Sequence, residues 1–423
     1  MQNTTKYQLS RRAQLTCLTT TQFKTAVVSA GYALPLEQEN AAVAILPYLL
    51  RRGTAEYPDM NALSAYLDEL YGAQVEPFVR KIGDRIVVGF VADAVDESVL
   101  PYGTQVTENV IQLLGRMLHA PAFVDGKFEE ATLELEKKNL LDRIRGLKND
   151  TRSYAQRRAK ELLHTNDRFG FSEYGTEEGV EALTEQQVHA AFERVLQCGE
   201  LELFYCGTLE GDIATKLFQK AMPIPDGNYC DDIRVPYYNV DTVPETIIEE
   251  MNVTQGKMTL CLTSPFTGRS AEYPALMLFT EILGGYTGSR LFCNVREKMS
   301  LCYYASAGLA FSTGEVLIAS GIENSKFEVA RDAVLEQLND LCSGGLSEAE
   351  LDQAKRTKIN ALRSMKDTPQ SMESYWQARM MCGVEEDVDD LIARLESVSL
   401  ADVVKAGQTL RVALIYFLKG VGA

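Results

Sequence analysis

Histidine supplies many zinc ligands and general bases in enzymes, and this chain of 423 residues has three: His119, His164 and His189. The intervals between them are 45 and 25 residues, so no two can lie on one helical turn as a metal-binding pair does. Neither H-x-x-E-H nor H-E-x-x-H occurs anywhere in the chain. These spacings argue against a histidine-based hydrolytic site.

Other catalytic patterns are missing as well. The sequence has no G-x-S-x-G turn and no cysteine–histidine arrangement that would support a covalent mechanism. The segment "LGGYTGSR" has glycines but lacks both the G-x-G-x-x-G order and a following lysine, so we expect no phosphate-binding loop. Nine cysteines are scattered without a C-x-x-C pair, which predicts reduced thiols in a cytoplasmic protein.

The charge balance narrows the range of partners. The chain has 42 Lys+Arg against 59 Asp+Glu, a formal net charge of −17. A potential of that sign repels phosphate backbones and anionic headgroups, so we expect no nucleic-acid partner. No stretch of the sequence approaches the ~18 consecutive apolar residues that a membrane-spanning helix needs, so we expect no membrane span.

The order of predicted elements occurs twice along the chain. Each half has strands, helices, a pair of strands and then three helices. Asp150 and Asp367 correspond at an offset of 217 residues, and Leu183 and Leu400 correspond at the same offset. A repeat of this kind predicts two copies of one α+β unit of roughly 200 residues.

These observations predict the domain organisation. We place an N-terminal lobe at 1–220, a proline-bearing linker at 221–245 and a C-terminal lobe at 246–423. The expected fold is α+β, with antiparallel sheets packed against helices and the two lobes joined as a clamshell. A rigid pseudo-symmetric body without a cleft is the alternative.

The duplicated order of elements resembles the M16 (insulinase/pitrilysin-like) peptidases, whose lobes are of the LuxS/MPP-like type. Members of that family carry the zinc motif H-x-x-E-H on a helix shortly before a "K-G-T". Here Arg52, Gly53 and Thr54 match that ending. The resemblance covers nearly the whole chain.

The same alignment implies that the zinc motif has degenerated. Ala44 and Tyr48 occupy the two histidine positions, and Pro47 occupies the glutamate position. Alanine has no donor atom, a phenol is a poor zinc ligand and proline cannot act as a general base. Arg143 occupies the position of the third ligand, while Glu136 matches a supporting glutamate of the family. The resemblance therefore implies an inactive bacterial member with no metal in this chain.

A second segment keeps the family pattern. In "GSRLFCNVREKMSLCYYASA", Arg296 is followed seven residues later by Tyr303. The resemblance implies that this pair reaches the substrate, where a phenol can stabilise an oxyanion and a guanidinium can hold a carbonyl. Taken singly, Arg296 could be a solvated helix-end charge and Tyr303 an ordinary strand aromatic.

These expectations lead to a non-catalytic subunit. It would form a heterodimer with an H-x-x-E-H-bearing M16 paralogue that holds the zinc, and it would supply Arg296 and Tyr303 in trans to a peptide-processing chamber. The expected substrate is a short or unfolded peptide. The alternative is a peptide-binding scaffold without proteolysis, in a protein-modification or peptide-maturation pathway. An independent enzyme with a relocated site ranks last, because no recognisable nucleophile is present.

Overall fold

The computed structural model of the chain describes residues 3–165, 167–227 and 244–421. The chain divides into two compact units, and each has one β-sheet with helices packed against it. The first unit comprises Met1–Arg145, Phe171–Ile233 and Lys366–Met381; the second comprises Gly146–Gly170, Arg234–Met365 and Cys382–Ala423. The predicted α+β class is confirmed.

The strands of the described ranges are β1 (Asn3–Ser10), β2 (Ala13–Thr19), β3 (Thr25–Pro35), β4 (Gln74–Ile82), β5 (Arg85–Val95), β6 (Glu200–Gly207), β7 (Glu245–Met251), β8 (Gly256–Thr263), β9 (Cys302–Leu309), β10 (Val316–Ile322) and β11 (Arg411–Gly420). Their order is β1-β2-β6-β3-β5-β4 in the first sheet and β7-β11-β8-β10-β9 in the second. Neighbours are antiparallel except β2 with β6 and β7 with β11, which are parallel. Both sheets are therefore mixed, which corrects the prediction of antiparallel sheets. The two strands of each parallel pair are far apart in the chain, with three other strands of the same sheet and several helices between them, which supplies the long connection that parallel pairing requires.

The α-helices of the same ranges are α1 (Ala41–Ala44), α2 (Leu46–Leu50), α3 (Met60–Glu69), α4 (Val106–His119), α5 (Glu130–Gly146), α6 (Thr151–Leu163), α7 (Glu177–Glu181), α8 (Glu185–Cys198), α9 (Gly211–Ala221), α10 (Tyr273–Thr280), α11 (Phe327–Cys342), α12 (Glu348–Met365), α13 (Pro369–Met381), α14 (Val388–Ser397) and α15 (Leu400–Gln408). Short 3₁₀ turns lie at Glu97–Val99 and Asn324–Lys326, and π-helical segments at Glu281–Gly285 and Leu291–Lys298. None of these helices combines the length and the apolar character needed to cross a membrane.

The helix expected after β3 is divided into α1 and α2. Proline has no N–H to donate to the carbonyl four residues earlier, so Pro47 interrupts the helical hydrogen-bond ladder. Ile45 forms the joint, and the amide of Tyr48 donates to its carbonyl at 3.2 Å. The residue at the family's glutamate position is thus also the residue that breaks the helix.

Two long helices each pack on the sheet that the other half of the sequence forms. Helix α6 belongs to the first half of the sequence but packs against β8, β10 and β11 of the second sheet, where Ala155 and Ala159 lie in the core with Tyr416. Helix α13 comes from the second half but packs against β3 and β6 of the first sheet. The repeat pairs these two helices, since Asp150 and Asp367 immediately precede their starts. Sequence reasoning did not foresee the exchange.

The predicted lobe boundaries stay a prediction. Most of the predicted linker, 221–245, lies outside the described residues, which do not include 228–243. The final residue of that range already belongs to β7, which pairs with β11 at the edge of the second sheet.

Candidate functional site

The degenerate zinc positions lie on α1, α2 and α5 of the first unit. Ala44 is fully buried and offers no donor. Pro47 faces apolar side chains that include Leu50 and Val88. Tyr48 is half-buried, and the guanidinium of Arg143 lies over its ring, 4.7 Å from the centroid. A cation–π pair therefore occupies the region where the family places ligands.

Glu136, the supporting glutamate of the family alignment, is buried and binds the guanidinium of Arg52. Arg52 donates to Glu136, whose side chain is 5% exposed. Asn139 donates to the other oxygen of Glu136 through Nδ2 at 3.1 Å. Because both carboxylate oxygens already accept from the protein, Glu136 is committed to an internal ion pair.

These side chains surround a pocket of about 510 Å³ in the first unit. Its charged wall consists of Arg51, Arg52, Glu76, Glu136, Asp142 and Arg143. Burial raises the pKa of Tyr48 to about 12, although the charge of Arg143 opposes the change. Burial also lowers the pKa of Arg51, which is held by a bond from its Nε to the carbonyl of Val75 at 2.9 Å.

Zinc does not fit this donor set. Zinc sites in proteins use neutral imidazole, thiolate or carboxylate ligands. Here the aligned positions offer a methyl group, a phenol that holds its proton at neutral pH and a guanidinium. Across the part of the chain that the structure describes, no three His, Cys, Asp or Glu side chains form a metal-holding group. Absence of metal from this chain stays a prediction.

The predicted substrate-binding pair, Arg296 and Tyr303, lies on neighbouring elements of the second unit. Arg296 belongs to the π-helical segment Leu291–Lys298, which packs against β9, and Tyr303 is the second residue of β9. The guanidinium of Arg296 lies over the Phe292 ring, 4.5 Å from the centroid, and is 3.6 Å from the carboxylate of Glu297. Its side chain is 37% exposed.

Strand alternation explains why Tyr303 is exposed. Successive side chains of β9 point to opposite faces. Tyr304 is half-buried, with the guanidinium of Arg152 4.3 Å from its ring centroid, whereas Tyr303 is 63% exposed. Burial raises the pKa of the neighbouring Cys302, and the charge of Arg296 opposes that change. Arg296 and Tyr303 are therefore both available to a ligand of the second unit.

Sequence reasoning missed several residues of the first-unit pocket. Arg51, Glu76 and Asp142 were not singled out, although Arg51 directly precedes the aligned Arg52-Gly53-Thr54. Its position directly beside that motif could have identified Arg51 as a residue of the site. Glu76 lies on β4, and only folding places it beside α5.

Comparison with known proteins identifies the family. Residues 182–358 match the family model described as the peptidase M16 inactive domain. A protein of Bacillus subtilis (strain 168) named "Probable inactive metalloprotease YmfF" is 30% identical over 409 residues, covering 95% of this chain and 94% of that protein. The chain belongs to the M16 peptidase family.

Two further similarities extend over most of the chain. The "Uncharacterized zinc protease YmxG" of the same Bacillus subtilis strain is 20% identical over 356 residues, covering 82% of this chain and 85% of that protein. The crystal structure of a conserved protein from Enterococcus faecalis V583 superimposes with a TM-score of 0.88 at 24% identity, covering 99% of both chains. The fold is thus that of two-lobed M16-like proteins, and the chain is a homologue of an inactive M16 metalloprotease.

Proposed function

We propose that this chain is the non-catalytic subunit of an M16 heterodimer. Its partner is an H-x-x-E-H-bearing M16 paralogue, which holds the zinc, and the two chains form a peptide-processing chamber. The observation that carries the proposal is a contrast within one chain. The zinc positions hold Ala44, Tyr48 and Arg143, whereas Arg296 and Tyr303 are retained and exposed.

The chemistry of the retained pair suits substrate binding in trans. A peptide carbonyl attacked by zinc-bound hydroxide develops negative charge, which the O–H of Tyr303 stabilises by donating a hydrogen bond. The guanidinium of Arg296, oriented by Phe292, holds a neighbouring carbonyl oxygen of the peptide. Nucleophile and general base come from the partner.

The proposed substrate is a short or unfolded peptide, because an enclosed chamber admits little else. We place the complex in the cytoplasm. Within the described residues, the thiols of Cys17, Cys206 and Cys261 are buried and free, which suits a protein in a reducing compartment.

Reconstitution with a zinc-bearing paralogue tests the proposal. The two chains are co-expressed and purified, and cleavage of an unfolded peptide is followed by mass spectrometry. We expect Tyr303→Phe to lower kcat by about 100-fold, the typical effect of removing one oxyanion donor. Arg296→Ala should raise KM and lower kcat together.

Matched control variants distinguish an effect on the proposed site from a general effect on the protein. Tyr102→Phe makes the same chemical change at a fully exposed tyrosine, and Arg356→Ala removes an exposed arginine from α12. Both should leave cleavage unchanged. Unaltered cleavage by the double variant Arg296→Ala, Tyr303→Phe would refute the role of the pair. Peptide binding by the isolated chain, without any cleaving partner, would favour a scaffold instead.

A further inference from the structure

We infer that the first-unit pocket, where zinc does not fit, binds the carboxylate of a peptide. The pocket has a volume of about 510 Å³, enough for one or two amino-acid residues. Its central cation is Arg143, which replaces the third zinc ligand of the family. The inference concerns the isolated chain and does not depend on the proposed zinc-bearing partner.

Arg143 has unused hydrogen-bonding capacity. Its N–H groups donate to no acceptor within the described ranges of the chain, although its guanidinium lies over the ring of Tyr48. Arginine presents N–H groups in a planar fork that matches the two oxygens of a carboxylate. Stacking on Tyr48 orients that fork before a ligand arrives, which reduces the entropy lost on binding.

The other charges of the pocket select a singly charged ligand. Arg52 and Glu136 neutralise each other in an internal pair. Glu76 and Asp142 are exposed acids in the same wall and balance the charges of Arg51 and Arg143, so the pocket has no excess positive charge to neutralise a doubly charged phosphate. A carboxylate carries one negative charge, and Met60, Pro77 and Leu140 offer apolar surface to the body of the same residue.

A peptide offers this carboxylate either at its C-terminus or on an aspartate or glutamate side chain. Isothermal titration calorimetry with three N-acetylated, leucine-terminated hexapeptides distinguishes the sources. The first has a free C-terminal carboxylate, the second is its C-terminal amide, and the third is the amide with one internal glutamate. We expect binding of the first or third and at least about tenfold weaker binding of the second, because a charge-assisted fork is lost.

Substitutions test whether the peptide binds in this pocket. Arg143→Gln should weaken the preferred peptide by about 10- to 100-fold, and Tyr48→Leu should weaken it less, through loss of stacking. Arg145→Gln is the matched control, since Arg145 lies on the same helix, pairs with Glu177 and is absent from the pocket wall.

Three results would overturn the inference. The first is equal binding of all three peptides, and the second is binding of none. The third is an equal loss of affinity in Arg143→Gln and Arg145→Gln, which would indicate non-specific attraction. Thermal unfolding by circular dichroism verifies that each variant is folded. The proposed Arg296 and Tyr303 function would stand after any of these results.

Discussion

Glu202 provides a test of how burial controls stability in the first unit. Its side chain lies on β6 and is 4% exposed. Oε1 accepts a hydrogen bond from Nε2 of Gln14 at 2.8 Å, whereas Oε2 is buried and has no partner within the described residues. Burial therefore raises the pKa of Glu202 from its ordinary 4.5 to about 8, with the negative charge of Glu200 adding to the effect.

The raised pKa makes stability depend on pH with a definite sign. Between the two pKa values the folded chain keeps a proton that the unfolded chain has released, so the free energy of unfolding falls as pH rises. Each pH unit of pKa change is worth about 1.4 kcal/mol, which makes the full penalty for ionising Glu202 about 5 kcal/mol. From pH 5 to pH 9 the expected loss of stability is about 4 kcal/mol, and it levels off above the folded pKa.

Glu202→Gln should remove this dependence, because glutamine keeps the shape of the side chain but cannot ionise. We expect the stability difference between Glu202→Gln and the parent chain to shift by about 4 kcal/mol in favour of the variant from pH 5 to pH 9. Urea unfolding followed by circular dichroism at several pH values measures that difference. Glu69→Gln, at an exposed carboxylate, is the control and should show no such trend. Parallel pH profiles for Glu202→Gln and the parent chain would refute the reasoning.

Three other predictions concern stability and metal binding. Arg12→Ala should lower the free energy of unfolding in urea by about 2–4 kcal/mol, because Arg12 is 6% exposed and donates to the carbonyls of Leu196 and Gly199; a similar loss in Arg11→Ala would contradict this. Glu373→Gln should cost about 3 kcal/mol and accelerate hydrogen exchange in α13, since it removes the charge of a buried carboxylate that pairs with the half-buried Arg80 at 2.8 Å; unchanged exchange would contradict it. Equilibrium dialysis should leave the chain far below one zinc per molecule, and stoichiometric zinc would contradict the donor argument.

Some elements are specified by local sequence patterns. The turn at Gly83 and Asp84 joins β4 to β5, and Gly83 has a φ of +63° that glycine adopts without strain. The capping box of Thr184 and Gln187 begins α8. These features depend on residues a few positions apart, so the sequence contains the information needed to predict them. Polar edge strands such as β1 and β7 were missed, because each is specified by its neighbour rather than by its own pattern.

In the first unit, the sequence was sufficient to predict one feature of the candidate site but not another. Loss of the zinc ligands is a matter of residue identity, and the sequence was sufficient for it: Ala44 and Tyr48 cannot replace imidazole. The pocket that replaces the metal site could not be predicted from residue identity. Arg143 lies over Tyr48 although the two residues are 95 positions apart. Side-chain geometry of that kind depends on how α2 and α5 pack.

The sequence by itself determined the α+β class and the absence of imidazole at the aligned zinc positions, because periodicity and residue types are local properties of the chain. Its resemblance to the M16 peptidases also indicated the family, which comparison with known proteins confirmed. The tertiary structure alone decided which sheet each exchanged helix covers and which charges meet in the pocket. The matching helices α6 and α13 each pack on the sheet of the other sequence half. Local patterns specify that both form helices, but only long-range burial of their apolar faces determines where they pack.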